Sequence, residues 1–171
     1  MLPSFRAVFD AHYDYIWHSL RRLGVATADL DDVVDEVFLR VHDRLPSYDP
    51  ARPIRPWLFA FAVRAAADYR RLARHRVFVD SDADNVDPAP TPEQAAMQGD
   101  AERLVQHALD ALSLSTRAVF VMYEIDGRDM KEIAEALEIP VNTAYSRLRL
   151  ARGTFEAKVR ELRGEEGTSL G

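Results

Sequence analysis

Apolar residues in this chain return every three or four positions, the period of a helix packed on one side, and no stretch of useful length alternates in the period of a strand. Phe5, Val8, Phe9, His12, Ile16 and Leu20 mark a first amphipathic helix, ending near Gly24. Thr27 or Asp29 is suited to cap the next. Leu30, Val33, Val34, Val37, Phe38 and Val41 then form the clearest apolar stripe in the sequence, stopping before Pro46. Four prolines between Pro46 and Pro56 exclude helix interior there. A third helix is predicted from about Pro56, with Leu58, Phe61, Ala62, Ala65, Tyr69 and Leu72 as its buried stripe. From Ser81 to Pro92 the chain turns acidic and proline-rich with almost no large apolar residue, the composition of a flexible linker. Beyond it Leu104, Ala108, Leu109 and Leu112 mark another helix. One more, with Ser115 as its cap, runs through Tyr123 to Gly127.

The last periodic stretch carries the most information. Met130, Ile133, Ala134 and Leu137 share one face of a short helix, and Glu138-Ile139-Pro140 breaks it. Val141, Ala144, Tyr145 and Leu148 begin another. Two short helices joined by so brief a turn form a helix-turn-helix, with small Ala134 at the crossing and Ile139 beneath the turn. The second helix presents Asn142, Thr143, Ser146, Arg147 and Arg149 opposite its apolar face. These side chains can donate to phosphates and base edges, the N-terminal ones lying nearest the bases. A plain hairpin with a solvated face is the structural alternative.

Charge favours the DNA reading. The net charge of −6 argues against a generic polyanion binder, but it is unevenly spread. Residues 51–79 hold seven arginines against Asp68, residues 80–100 hold six acids and no base, and residues 141–163 hold six bases against Glu156 and Glu161. Two local positive fields are thus separated by a negative segment. The chain has no cysteine, which removes disulfides, thiolate metal sites and cysteine nucleophiles. His12, His18, His42, His75 and His107 show no ligand spacing, and no nucleophile–base set is readable. Enzymatic activity, a metal and a cofactor are not expected. Neither a signal pattern nor an apolar run of membrane-spanning length is present, so a cytoplasmic protein without membrane insertion is expected.

Three segments in order resemble the extracytoplasmic-function sigma factors, the small sigma-70 family members that keep regions 2 and 4: DLDDVVDEVFLRVHDRL, IRPWLFAFAVRAAADYRR and LSLSTRAVFVMYEIDGRDMKEIAEALEIPVNTAYSRLRLAR. Trp57, Leu58, Asp68 and Arg71 stand at matching places in the second. In the third, Glu132-Ile133-Ala134, Thr143, Ser146-Arg147 and Ala151-Arg152 do so. The departures are Asp35 where glutamine is usual, Arg64 where asparagine is frequent, Tyr145 and Leu150 where bases are frequent, and Glu138 where glycine is common.

The resemblance implies an all-α chain of two small helical domains: region 2 at 1–78, a flexible acidic linker at 79–100, region 4 at 101–163 and a tail at 164–171. It implies a factor that directs core RNA polymerase to promoter DNA and is held by an anti-sigma partner. Asn142, Thr143, Tyr145, Ser146, Arg147, Arg149 and Arg152 would read the −35 duplex. Tyr48, Arg52, Arg55, Trp57, Arg64 and Arg71 would hold the melted −10 strand, where positive charge and planar side chains suit unstacked bases. Asp31, Asp32, Asp35 and Glu36 would face the polymerase, since an acidic surface suits a protein partner better than DNA. Packing is the competing role for Trp57 and Tyr48. A helix-turn-helix regulator without polymerase contact is the alternative function. A protein-interaction module such as an anti-sigma factor or adaptor is a further rival, but it should lack the basic face of the recognition helix.

Overall fold

The computed structural model describes residues 1–79 and 99–168, with side chains over 1–76 and 99–165. The described residues are helical, with no strand among them. Most of the expected linker, residues 80–98, lies outside them, as does the end of the tail.

The N-terminal unit is a three-helix bundle. α1 (Phe5–Arg22) begins at Ser4, whose hydroxyl accepts from the Ala7 amide at 3.2 Å. It ends before Gly24, which adopts φ +99°. A single 3₁₀ turn (Thr27–Asp29) leads into α2 (Leu30–Arg44). Neither Thr27 nor Asp29 caps α2 through its side chain. The Asp29 carboxylate instead accepts from the Tyr69 hydroxyl at 2.6 Å, tying the start of α2 to the third helix of the bundle. All six residues of the α2 stripe are buried. Phe38 meets Phe9 with ring centroids 4.8 Å apart, and Phe5 and Tyr13 complete the cluster. α3 (Ile54–Val79) starts two residues before the predicted Pro56. Its Leu58, Phe61, Ala62 and Ala65 are buried and Tyr69 is half-buried, but Leu72 is 57% exposed. Residues 71–76 are all exposed, so the last turns of α3 have outrun the bundle and its periodicity no longer signals burial.

The C-terminal unit holds α4 (Asp100–Asp110), α5 (Leu114–Phe120), α6 (Met130–Leu137) and α7 (Val141–Thr168). Ser113, rather than Ser115, caps α5; its hydroxyl accepts from the Thr116 amide, and Ser115 lies inside the first turn. α5 runs on into a π turn (Val121–Ile125), and Gly127 at φ +69° follows. Asp129 caps α6 by accepting from the Glu132 amide at 2.9 Å, a contact of about 1 kcal/mol. Ala134 is buried where α6 meets α7, and Ile139 is half-buried beneath the turn, as their sizes suggest. α7 packs on α4, α5 and α6 through Ala144, Leu148 and Ala151.

The two units lie against each other, α3 meeting α6 and α5, and α1 meeting α4. At the centre of this junction is Arg117 of α5, 1% exposed. It donates to the Arg22 carbonyl at the end of α1 (3.2 Å), to the Leu112 carbonyl (3.0 Å) and to Asp110 (3.3 Å). Gln106 donates to the neighbouring Arg21 carbonyl at 3.0 Å. Side chains of one unit thus satisfy the carbonyls that the other leaves at a helix end, where the helix dipole favours a cation. Burial and the nearby Arg70 pull the Arg117 pKa down to about 10, which still leaves it charged at neutral pH. Tyr15 donates to Asp126 at 2.8 Å across the same junction.

Candidate nucleic-acid and polymerase interfaces

The recognition helix owes its geometry to three buried residues. Ala144, Leu148 and Ala151 fix the inner side of α7, so the helical period turns Asn142, Ser146 and Arg149 straight outward. Tyr145, 49% exposed, stands on one flank of that face. Thr143 and Arg147 are half-buried on the other. Ser146 donates to the Asn142 carbonyl at 3.0 Å, which leaves its oxygen free to accept. Among the described residues neither Arg147 nor Arg149 forms an ion pair. Arg152 differs: it donates to Glu124 at 2.5 Å and lies 5.3 Å from the centroid of the Tyr123 ring. Six of the seven residues expected to read duplex DNA are thus gathered near one end of one helix, and Arg152 is turned toward the π turn.

The residues expected to hold a melted strand lie in a different environment. Tyr48 is buried, its hydroxyl donating to the Arg52 carbonyl at 2.5 Å, so it shapes the loop rather than presenting a ring to a base. Trp57 is half-buried between Tyr48 and Phe61, at centroid distances of 4.9 and 4.8 Å. One edge of it lines a cleft of about 440 Å³ with Arg44, Arg52, Phe61 and Arg64. The other wall of this cleft is α6. Arg52 meets Glu135 at 2.9 Å, and Arg64 meets Glu138 at 3.5 Å. Arg55 lies 4.8 Å above the Tyr15 ring. Arg71 lies beyond the cleft and pairs at 2.6 Å with Asp68, which also binds Arg40 of α2 at 2.7 Å. Arg40 and Arg71 together hold the Asp68 carboxyl below the usual carboxylate range.

Glu138 has an unusual backbone. At φ 55° and ψ 46° it is the only non-glycine residue with positive φ among the described residues. It occupies the position after a helix where glycine is the unstrained choice, and a side chain there costs about 1 kcal/mol. The departure from glycine was visible in the sequence. Its counterpart Arg64, 74 residues away, was not.

On the outer surface of α2, Asp31, Asp32, Asp35 and Glu36 are all exposed. Tyr13 reaches Asp31 at 3.5 Å and Arg40 binds Glu36 at 2.9 Å. Leu39 follows them, 69% exposed, an apolar side chain beside an acidic rim that the stripe of α2 did not flag. Among the described residues no cluster of three or more His, Asp or Glu is placed to hold a metal ion, and no helix is long and apolar enough to cross a membrane.

Residues 8–76 match the family described as Sigma-70 region 2, and residues 102–154 match Sigma-70, region 4. The chain belongs to the sigma-70 family. It is an extracytoplasmic-function sigma factor, similar along nearly its whole length to curated members. It is 36% identical over 163 residues to the ECF RNA polymerase sigma factor SigL of Mycobacterium tuberculosis, covering 92% of this chain and 89% of that protein. It is 28% identical over 161 residues to the ECF RNA polymerase sigma-E factor of Escherichia coli, covering 88% and 84%. Among solved structures it resembles CnrH in complex with the cytosolic domain of CnrY (TM-score 0.63, 26% identity, 92% and 88% covered). It shares its fold with the sigma factor RpoE in complex with the anti-sigma factor NepR from Bartonella quintana (TM-score 0.68, 17% identity, 91% and 96% covered). A regulator that carries only a helix-turn-helix would account for the match over 102–154 but not for the match over 8–76. This sigma factor therefore has both parts needed to direct RNA polymerase to promoters.

Proposed function

We propose that this sigma factor reads the −35 element as duplex through the outward face of α7 and holds the melted −10 strand in the cleft walled by Arg52, Trp57 and Arg64. The observation that carries the first half is the grouping of Asn142, Tyr145, Ser146 and Arg149 on one exposed face of a helix whose inner side is fixed by packing. A rigid helix face with bidentate donors at its N-terminal end is suited to a major groove. For the second half, a positively charged groove with a partly exposed indole suits unstacked nucleotides. Arg71, turned toward α2, supports this groove from a distance through Asp68 and Arg40.

The acidic surface of α2, with Leu39 beside it, is the polymerase-docking face. An apolar anchor ringed by charge is the usual anatomy of such a contact, the charges governing encounter and register. The factor works in the cytoplasm and carries no reaction of its own, the chemistry of transcription staying with the polymerase. The similar RpoE of Bartonella quintana is held in complex with the anti-sigma factor NepR, and a partner of that kind is the expected regulator here.

Run-off transcription with purified core enzyme tests the reading. Combined Asp32→Lys and Glu36→Lys substitution should reduce co-elution with core polymerase at least tenfold, about 1.4 kcal/mol, while duplex −35 binding by α7 stays unchanged. Normal co-elution would remove α2 from the docking surface.

A further inference from the structure

The walls of the cleft are opposite in charge. Arg44, Arg52 and Arg64 stand on the N-terminal side, and Glu132, Glu135 and Glu138 on the α6 side. Glu135 and Glu138 contact Arg52 and Arg64 directly, at 2.9 and 3.5 Å. A carboxylate presents a guanidinium with the same charge and the same paired acceptor oxygens as a phosphate. Glu138 reaches Arg64 from a left-handed backbone position at which glycine would relieve strain and contribute no charge. A strained residue whose side chain makes a contact of this kind points to a role for the contact.

We propose that α6 is a built-in mimic of the melted strand. Glu135 and Glu138 occupy Arg52 and Arg64 in the free chain, so the groove is filled by the protein's own second unit until that unit moves away. This rests on the assignment of Arg52 and Arg64 to the strand. The outward face of α7, Asn142, Tyr145, Ser146 and Arg149, is exposed in the same arrangement. The free factor is thereby able to meet duplex DNA but not to capture single strands indiscriminately.

The side chains of both ion pairs are at least half exposed, so each contributes little alone. The contacts of buried Arg117 and of half-buried Gln106 and Tyr15 hold the units together, and the two glutamates determine whether the groove is occupied. A ligand that needs the unoccupied form binds more weakly in proportion to how seldom that form is populated.

The test measures binding of a short fluorescein-labelled single-stranded oligonucleotide to the full chain without polymerase, by anisotropy. E135Q/E138Q should bind about tenfold more tightly than the unsubstituted chain. E138G should bind more tightly too, while relieving backbone strain, so loss of folding cannot imitate the result. E156Q/E161Q, which removes two acids elsewhere on α7, should shift affinity much less. If E135Q/E138Q gains no more than this charge control, the mimic is overturned. R52A/R64A separates that failure from the failure of the assignment beneath it. Loss of strand binding in R52A/R64A without a gain in E135Q/E138Q overturns the mimic and keeps the groove. Unimpaired binding in R52A/R64A overturns both. Salt gives a second readout. The unsubstituted chain should lose affinity less steeply with rising salt than E135Q/E138Q, because salt also weakens the internal pairs. Equal slopes would overturn the mimic.

Discussion

The two faces assigned to DNA share a chemistry but differ in how their cations are held. On α7 the outward side chains lie on one rigid helix, and Arg147 and Arg149 form no ion pair among the described residues. The two assigned arginines of the cleft already have partners, Glu135 for Arg52 and Glu138 for Arg64, and outside it Arg55 lies over the Tyr15 ring and Arg71 pairs with Asp68. On the proposed assignment, the difference fits what each face would bind. Duplex DNA has one shape, and a preformed helix face can meet it without rearranging. A melted strand exists only after work has been done on the duplex, and a groove that was always open would take up any single strand it met.

The largest disturbance of this contrast should come from Arg117→Met. It removes three charge-assisted contacts at a buried position, and the full chain should lose about 3 kcal/mol in urea unfolding. The junction should open with it, while α7, whose packing does not involve Arg117 hydrogen bonds, keeps its affinity for duplex −35 DNA. If stability is unchanged, Arg117 is a bystander at the junction. An intermediate effect is expected within α7. Arg149→Ala should weaken duplex binding by about 1–3 kcal/mol and relax preference at one base pair, if it reads a base. Arg147→Ala, half-buried at the flank, should cost less and act alike on all sequences, as a phosphate contact does. Competition binding on a set of single-base variants distinguishes the two, and the reverse order of effects would reverse their roles.

The smallest effect concerns pH. Burial raises the Asp126 carboxyl above the ordinary range, although the Tyr15 hydroxyl and the charges of Arg22, Arg128 and Arg55 oppose it. The closed arrangement therefore binds a proton on Asp126 more readily than separated units would. Closure should be most favourable at pH below the ordinary carboxylate value and weaken as pH rises through the raised one. Asp126→Asn keeps an acceptor for Tyr15 and removes this titration. Inter-unit distance followed by energy transfer should then lose part of its dependence on mildly acidic pH. An unchanged profile would assign the dependence to another group.

Elements governed by local period were legible in the sequence. The stripe of α2 is buried at all six positions, because it lies in the middle of a bundle where one face has one fate. The same period misled at Leu72, where α3 continues past its partners. The sequence points to Ser115 as the cap of α5, but Ser113, two residues earlier and before the same apolar run, has the extended backbone of the cap. The outward face of α7 was readable for the reason that made α2 readable. The contents of the cleft were not. Arg52 and Arg64 read as cations awaiting a strand, yet their carboxylates stand far along the chain, and no spacing links position 64 to position 138. Nothing in the period of α5 singles out Arg117. Its partners include the carbonyl of Arg22 at the end of α1 and that of Leu112, backbone groups that write nothing into the sequence.

Gly24 gives that junction a consequence for inheritance. At φ +99° its bare α-carbon lies beneath two guanidiniums, and an added β-carbon would stand 2.7 Å from Arg70 and 2.8 Å from Arg117. A side chain at 24 would strain the exit from α1 and also displace the arginine that seats the second unit there. The two positions are 93 residues apart, yet a side chain at 24 would press directly on the guanidinium of Arg117. Among descendants of this chain, loss of glycine at 24 should travel with loss of arginine at 117, and lineages that keep both should be those whose two halves still meet.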